Sequence, residues 1–139
     1  MSRGMSRGSG GAGYIVFAHG SSVESANDAV RAVAAEMARR GKYEAVEAAF
    51  LEGGQPDLAG AVEILARRGL TRVVVIPYFL TLGLHLQRDL PRLVEQIRAA
   101  HAEIEIEVTA PLDGHPAMVD ALLARARESR KEPHASKTD

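Results

Sequence analysis

The stretch Arg72-Val73-Val74-Val75-Ile76 decides the fold, because its four consecutive β-branched residues are apolar on both faces. A strand of that kind suits the centre of a parallel sheet with helices on both sides. Working back toward the N-terminus, Pro56-Asp57 has the residue types that favour a helix's first turn, and Val62 and Leu65 carry the pattern to Arg67-Arg68-Gly69. Val46 to Leu51 reads as a strand. Before it, Val30, Val33 and Met37 share one helical face, with Ser25 and Asp28 as a capping-box-like start and Arg39-Arg40-Gly41 as a cationic end closed by glycine. Tyr14 to Ala18 is the first strand and stops abruptly at His19-Gly20-Ser21-Ser22.

On the other side of the central strand an apolar loop runs from Pro77 to Leu86, and Leu90, Leu93, Val94 and Ile97 predict a third helix. Ile104, Ile106 and Val108 alternate with Glu103, Glu105 and Glu107, the mark of a half-exposed edge strand. Pro116 opens a last helix with Val119, Leu122, Leu123 and Ala126 on its apolar face. Strands alternating with helices imply right-handed crossovers and one α/β doubly wound domain, its four-stranded parallel sheet ordered 2-1-3-4 with helices on both faces. Ligands of such sheets bind beyond the carboxyl ends of the strands, where the order reverses. That point falls between the first and third strands.

The chain of 139 residues is expected to hold one domain over residues 14–127, between a disordered N-terminal tail (1–13) and a flexible C-terminal one (128–139). A net charge of -1 and six aromatic residues leave neither a basic stripe nor a stacking platform, so nucleic acid is not an expected partner. The absence of cysteine excludes disulfides, thiolate nucleophiles and sulfur-held metals. No apolar stretch is long enough to span a membrane, and no secretory leader is evident, which makes the cytoplasm the expected location. Two motif matches are discounted. Gly8 to Gly13 spells the dinucleotide fingerprint and Gly4 to Gly8 the hydrolase nucleophile elbow, but neither follows a strand.

His19 begins the loop after the first strand, His85 lies in the loop after the third, and Glu52 ends the second. All three therefore fall on one rim. Imidazole nitrogen with carboxylate oxygen suits first-row divalent metals, and neutral imidazole also accepts protons near neutral pH, so the three are metal ligands, bases or both. Ser21, Ser22 and Arg88 stand near enough in sequence to donate to anionic groups of a ligand, and are equally explained as caps and a solvated arginine. The loop from Tyr78 to Leu86 is a lid on the core, an apolar wall for a flat ligand or a self-association surface. His115 reads as a helix entry before Pro116, His101 lies at the opposite edge, and His134 belongs to the tail.

Five segments together resemble the small sirohydrochlorin chelatases, the CbiX-like or SirB-like members of the class II chelatases. They are Phe17-Ala18-His19-Gly20-Ser21, Ala49-Phe50-Leu51-Glu52 with Gln55-Pro56, Val74 to Leu80, Gly83-Leu84-His85-Leu86-Gln87-Arg88-Asp89-Leu90-Pro91, and Pro111-Leu112 with His115-Pro116. The resemblance implies ATP-independent insertion of Co²⁺, or of Fe²⁺ or Ni²⁺, into sirohydrochlorin, for cobalamin or siroheme. It assigns His19 and His85 as the metal-binding and catalytic histidines with Glu52 as their acidic partner, and it implies no cofactor beyond the substrate metal. Longer members of the family carry two copies of the domain facing one another across the tetrapyrrole, so a homodimer is expected of this single copy. Two other readings compete: a metal or tetrapyrrole carrier without turnover, and a phosphatase with His19 as nucleophile. The second is weakened by Ala18, which stands where a phosphate-holding arginine would be expected.

Overall fold

The structure, a computed structural model, describes residues 11–129. Its elements are β1 (Ala12–Ala18), α1 (Glu24–Gly41), β2 (Val46–Phe50), α2 (Leu58–Arg67), β3 (Arg72–Pro77), α3 (Leu84–Ala100), β4 (Glu105–Val108) and α4 (Pro116–Arg127). The four strands form one parallel sheet in the order β2-β1-β3-β4, as the alternation of strand and helix patterns predicts. Register places Phe17 beside both Ala49 and Pro77, so β1, β2 and β3 end at one level. That common edge carries the loops of interest.

Alternation along each strand divides the core in two. Ile15, Phe17, Val73 and Val75 face α2 and α3, where Leu58, Val62, Leu65, Leu90, Val94 and Ile97 cover them. Val16, Ala18, Ala48 and Phe50 face α1, against Val30 and Met37. On β4 the expected alternation holds at Ile106, buried between exposed Glu105 and Glu107, but not at Val108, which is exposed. Burial on both faces is what the all-apolar reading of β3 requires.

Local structure departs from expectation in several places. β1 starts at Ala12 rather than Tyr14, since Ala12 and Gly13 pair with Arg72 and Val73. The expected tail of residues 1–13 therefore gives up its last residues to the sheet; 1–10 lie outside the described residues, as does His134 of the other tail. Gly13 is needed there because a Cβ would stand 2.9 Å from Leu65 Cδ1 of α2. Helix α1 begins at Glu24 with Val23 as N-cap and no side-chain cap, so Ser25 and Asp28 lie inside the helix rather than starting it. At its other end Lys42, not Gly41, takes the left-handed conformation, and Gly41 leaves room for the Tyr43 ring. Asp57 is the N-cap of α2, accepting from Gly60 N at 2.8 Å, rather than a first-turn residue.

Another departure is α4. The helix forms where its sequence says, with His115 as N-cap accepting from Ala117 N through Nδ1 at 3.0 Å and Pro116 in the first turn. Its expected apolar face, Val119, Leu122, Leu123 and Ala126, is nevertheless exposed, and no residue of α4 is buried.

Candidate functional site

The rim at the carboxyl ends of β1, β2 and β3 is built by backbone before any side chain acts. Glu52 N donates to His19 O at 3.0 Å and Leu51 N to Ala18 O at 2.9 Å, extending the β1–β2 pairing into the loops. This close approach requires glycine: Gly20 has φ +91°, and a Cβ there would stand 1.7 Å from Glu52 O. Gly53, with φ +73°, packs on the Ser21 backbone in the same way. Such backbone conformations are open to glycine and strained for other residues.

A buried side chain locks the two loops together. Asn27, 1% exposed on α1, accepts from Ser21 N at 3.0 Å and donates to Ser21 O at 2.8 Å and Gly53 O at 3.0 Å. It also donates to Glu24 Oε1 at 3.3 Å. Arg31 hydrogen-bonds Glu24 and, with the Asn27 amide, holds the Glu24 carboxyl below the ordinary glutamate value. A polar group removed from water must be satisfied, and Asn27 meets its need with the backbone of both loops.

On that frame His19 Nε2 lies 3.7 Å from Glu52 Oε2, both side chains being open to solvent. His19 Nδ1 is 3.3 Å from Gly20 O, so a proton on Nδ1 can be donated there. That tautomer turns the Nε2 lone pair toward the side of Glu52. The Phe79 ring stands edge-on to His19, centroids 6.4 Å apart, and edge-on to Phe17 in the core at 5.9 Å. Phe79 thus anchors the start of the apolar loop while presenting a wall to the histidine.

His85 is not in a loop. Helix α3 begins at Leu84, and His85 occupies its first turn, after Gly83 as N-cap. His19 and His85 line one groove of about 310 Å³ with Leu51, Phe79, Leu84 and Leu86. Asp89, one turn after His85, lines it too, a carboxylate the motif reading passed over. Glu52 is tied to this groove through His19. Among the described residues no three His, Asp or Glu side chains are gathered closely enough to enclose a metal ion. The donor set is open.

The other expected binding residues fare differently. Ser21 Oγ accepts from Val23 N at 2.9 Å, a turn-forming role, while Ser22 and Arg88 are exposed. Phe79 and Leu86 pack on the core, whereas Leu80 and Leu84 remain exposed. The loop is therefore part lid and part free apolar surface. His101 caps the C-terminus of α3 at the far end of the molecule, 3.4 Å from Glu63.

Fold and rim together define an α/β protein with a groove at the sheet's reversal point that is walled by apolar side chains and carries imidazole and carboxylate groups. Residues 13–129 match the sequence model of the CbiX family, and the chain belongs to that family. It is 31% identical over 114 residues to the sirohydrochlorin cobaltochelatase of Methanosarcina barkeri, covering 81% of this chain and 88% of that one. It is 30% identical over 123 residues to the sirohydrochlorin cobaltochelatase of Saccharolobus solfataricus, covering 84% and 94%. A crystal structure of a CbiX protein from Marinobacter aquaeolei, assigned to cobalamin biosynthesis, superimposes with a TM-score of 0.76 at 26% identity over 85% of this chain and 96% of that one. The cobalt complex of the sirohydrochlorin chelatase SirB from Bacillus subtilis shares the fold, with a TM-score of 0.77 at 22% identity. There 84% of this chain covers 50% of the SirB chain.

Proposed function

We propose that this protein is a sirohydrochlorin chelatase, inserting Co²⁺ into the tetrapyrrole without nucleotide hydrolysis. The observation that carries the reading is the meeting of His19 and His85 on one apolar-walled groove, with Glu52 3.7 Å from His19, in a member of the CbiX family. Cobalt is favoured over iron or nickel because the relatives at 30% identity or more are named cobaltochelatases.

Metallation needs two things from a protein: a route off the ring for two pyrrole N–H protons, and a metal held loosely enough to exchange ligands. An imidazole within reach of the macrocycle supplies the first. An open pair of nitrogen donors, rather than a closed cage, supplies the second. In this reading His19 and His85 hold the incoming ion and take up protons. Glu52 offsets the positive charge that His19 gains at Nε2, and Ser21, Ser22 and Arg88 remain candidates for the substrate's anionic periphery. The groove's wall of Phe79, Leu51, Leu84 and Leu86 suits the face of a flat macrocycle. The substrate ion is the only metal the scheme needs.

Because this chain covers half of SirB, the groove of one copy offers one wall to the macrocycle, and the active unit in this reading is a homodimer. Among the described residues no helix is long and apolar enough to cross a membrane, which is consistent with work in the cytoplasm. The test is direct: the purified protein is mixed with sirohydrochlorin and Co²⁺, Fe²⁺ or Ni²⁺, and the absorbance change is compared with the spontaneous rate. Catalysed turnover, lost on His19→Ala and on His85→Ala, is expected. Binding without acceleration would mark a carrier instead.

A further inference from the structure

Asp89 does nothing visible for the fold. Among the described residues its carboxylate makes no hydrogen bond or ion pair, and it lies past the first turn of α3, where an acidic group would serve the helix dipole. The other acidic residue of the helix, Glu95, is paired with Arg98. Asp89 instead lines the groove of His19 and His85, beside Phe79, Leu84 and Leu86. A carboxylate without a protein partner, set among apolar walls, is spare for a cation.

His85 is its counterpart. It too makes no hydrogen bond or ion pair among the described residues, whereas His19 has both Gly20 O and Glu52 beside its ring. His85 and Asp89 stand at i and i+4 of α3, so they share one face with Cβ atoms about 5–6 Å apart. Helical side chains lean toward the N-terminus, which brings the Asp89 carboxylate toward the turn that carries His85. This is the spacing at which two side chains of one helix hold a single divalent ion. Both residues line the same groove, so an ion held between them lies within it.

We infer that His85 and Asp89 form a two-donor clamp that takes up the substrate Co²⁺ before the tetrapyrrole receives it. The inference rests on the chelatase reading above and adds Asp89 to the donors. One imidazole nitrogen and one carboxylate oxygen suit a first-row divalent ion and leave water on its remaining positions. An ion so held still exchanges ligands, as transfer to the macrocycle requires. Insertion exchanges one Co²⁺ for two pyrrole protons; Asp89 serves the ion, and the protons go to the imidazoles. The clamp is also built differently from the pair across the groove. His19 and Glu52 depend on two loops meeting, whereas one turn of α3 sets the spacing of His85 and Asp89.

Asp89 is exposed, so Asp89→Asn should fold as the wild type does. Co²⁺ binding to the full chain is measured by titration calorimetry without tetrapyrrole, for wild type, Asp89→Asn, Asp89→Glu, His85→Ala and the Asp89→Asn/His85→Ala double variant. Asp89→Asn is expected to weaken Co²⁺ binding about tenfold or more, the scale on which groups around a metal act. Asp89→Glu should restore most of the loss, and Asp89→Asn should cost little further once His85 is gone. In steady state with sirohydrochlorin, Asp89→Asn should raise KM for Co²⁺ by a similar factor and lower kcat less. Unchanged Co²⁺ affinity in Asp89→Asn would overturn the clamp. So would independent, additive losses at the two positions, or a fall in kcat with KM for Co²⁺ unmoved. Loss of affinity in Asp89→Asn in a protein that never turns over sirohydrochlorin would uphold the clamp and overturn the chelatase reading alone.

Discussion

His19 at the end of β1 and Glu52 after β2 hold their side chains 3.7 Å apart although thirty-odd residues separate them in the chain, and a backbone hydrogen bond, Glu52 N to His19 O, fixes their spacing. Removing the imidazole should therefore remove a base and a ligand together. His19→Ala is expected to lower kcat for cobalt insertion by about 10²-fold or more, the usual worth of a positioned base. Glu52→Gln should cost less, about tenfold, and the two losses should not add, since Glu52 acts through His19. A double variant whose rate equals the product of the two single effects would break that link.

Asn27 gives the second expectation. Asn27→Ala leaves the Ser21 amide and the carbonyls of Ser21 and Gly53 without their buried partner, and an unsatisfied buried polar group costs about 1–3 kcal/mol. Urea unfolding should show a loss of about 2 kcal/mol or more. Turnover should fall at temperatures where the variant is still folded, because the loops carrying His19 and Glu52 are no longer tied. Full activity in the folded variant would reduce Asn27 to a stabilising role.

Two glycines with similar backbone angles separate strain from collision. Gly20 has φ +91° with Glu52 O where a Cβ would go, while Gly114 has φ +81° with no atom within 4 Å of that position. Gly114→Ala should cost about 1–2 kcal/mol, the left-handed penalty alone, and leave turnover intact. Gly20→Ala should cost clearly more in urea unfolding and abolish cobalt insertion by pushing the two loops apart.

Residue pattern carried the sheet order and the rim because both depend on strand ends. The apolar run of β3 marks the sheet centre, and once the order is known, His19 and Glu52 can only meet at one edge. Asn27 was not legible: on a helix pattern it reads as surface, and only the tertiary approach of the loops at Ser21 and Gly53 reveals that it is 1% exposed. Asp89 was missed for a related reason. The expected helix began further along, whereas α3 starts at Leu84 and brings Asp89 one turn below His85. For α4 the pattern correctly specified an apolar helix, but periodicity states only that a face is apolar, and among the described residues that face is exposed.

Acid should reveal the tie at the base of the site. Glu24 is held below its ordinary pKa first by its hydrogen bond from Arg31 and then by that from Asn27. A carboxylate with a depressed folded-state value stabilises the protein at pH above its unfolded value, and that contribution is lost as pH falls through the lowered one. Glu24→Gln removes it. The unfolding midpoints of wild type and Glu24→Gln should therefore differ at neutral pH and converge as pH drops below the ordinary glutamate range of about 4.3. Because Glu24 is open to solvent, raising the salt concentration at neutral pH should narrow the same gap. A gap that stays constant with both pH and salt would assign the role of Glu24 to its neutral hydrogen bonding rather than to its charge.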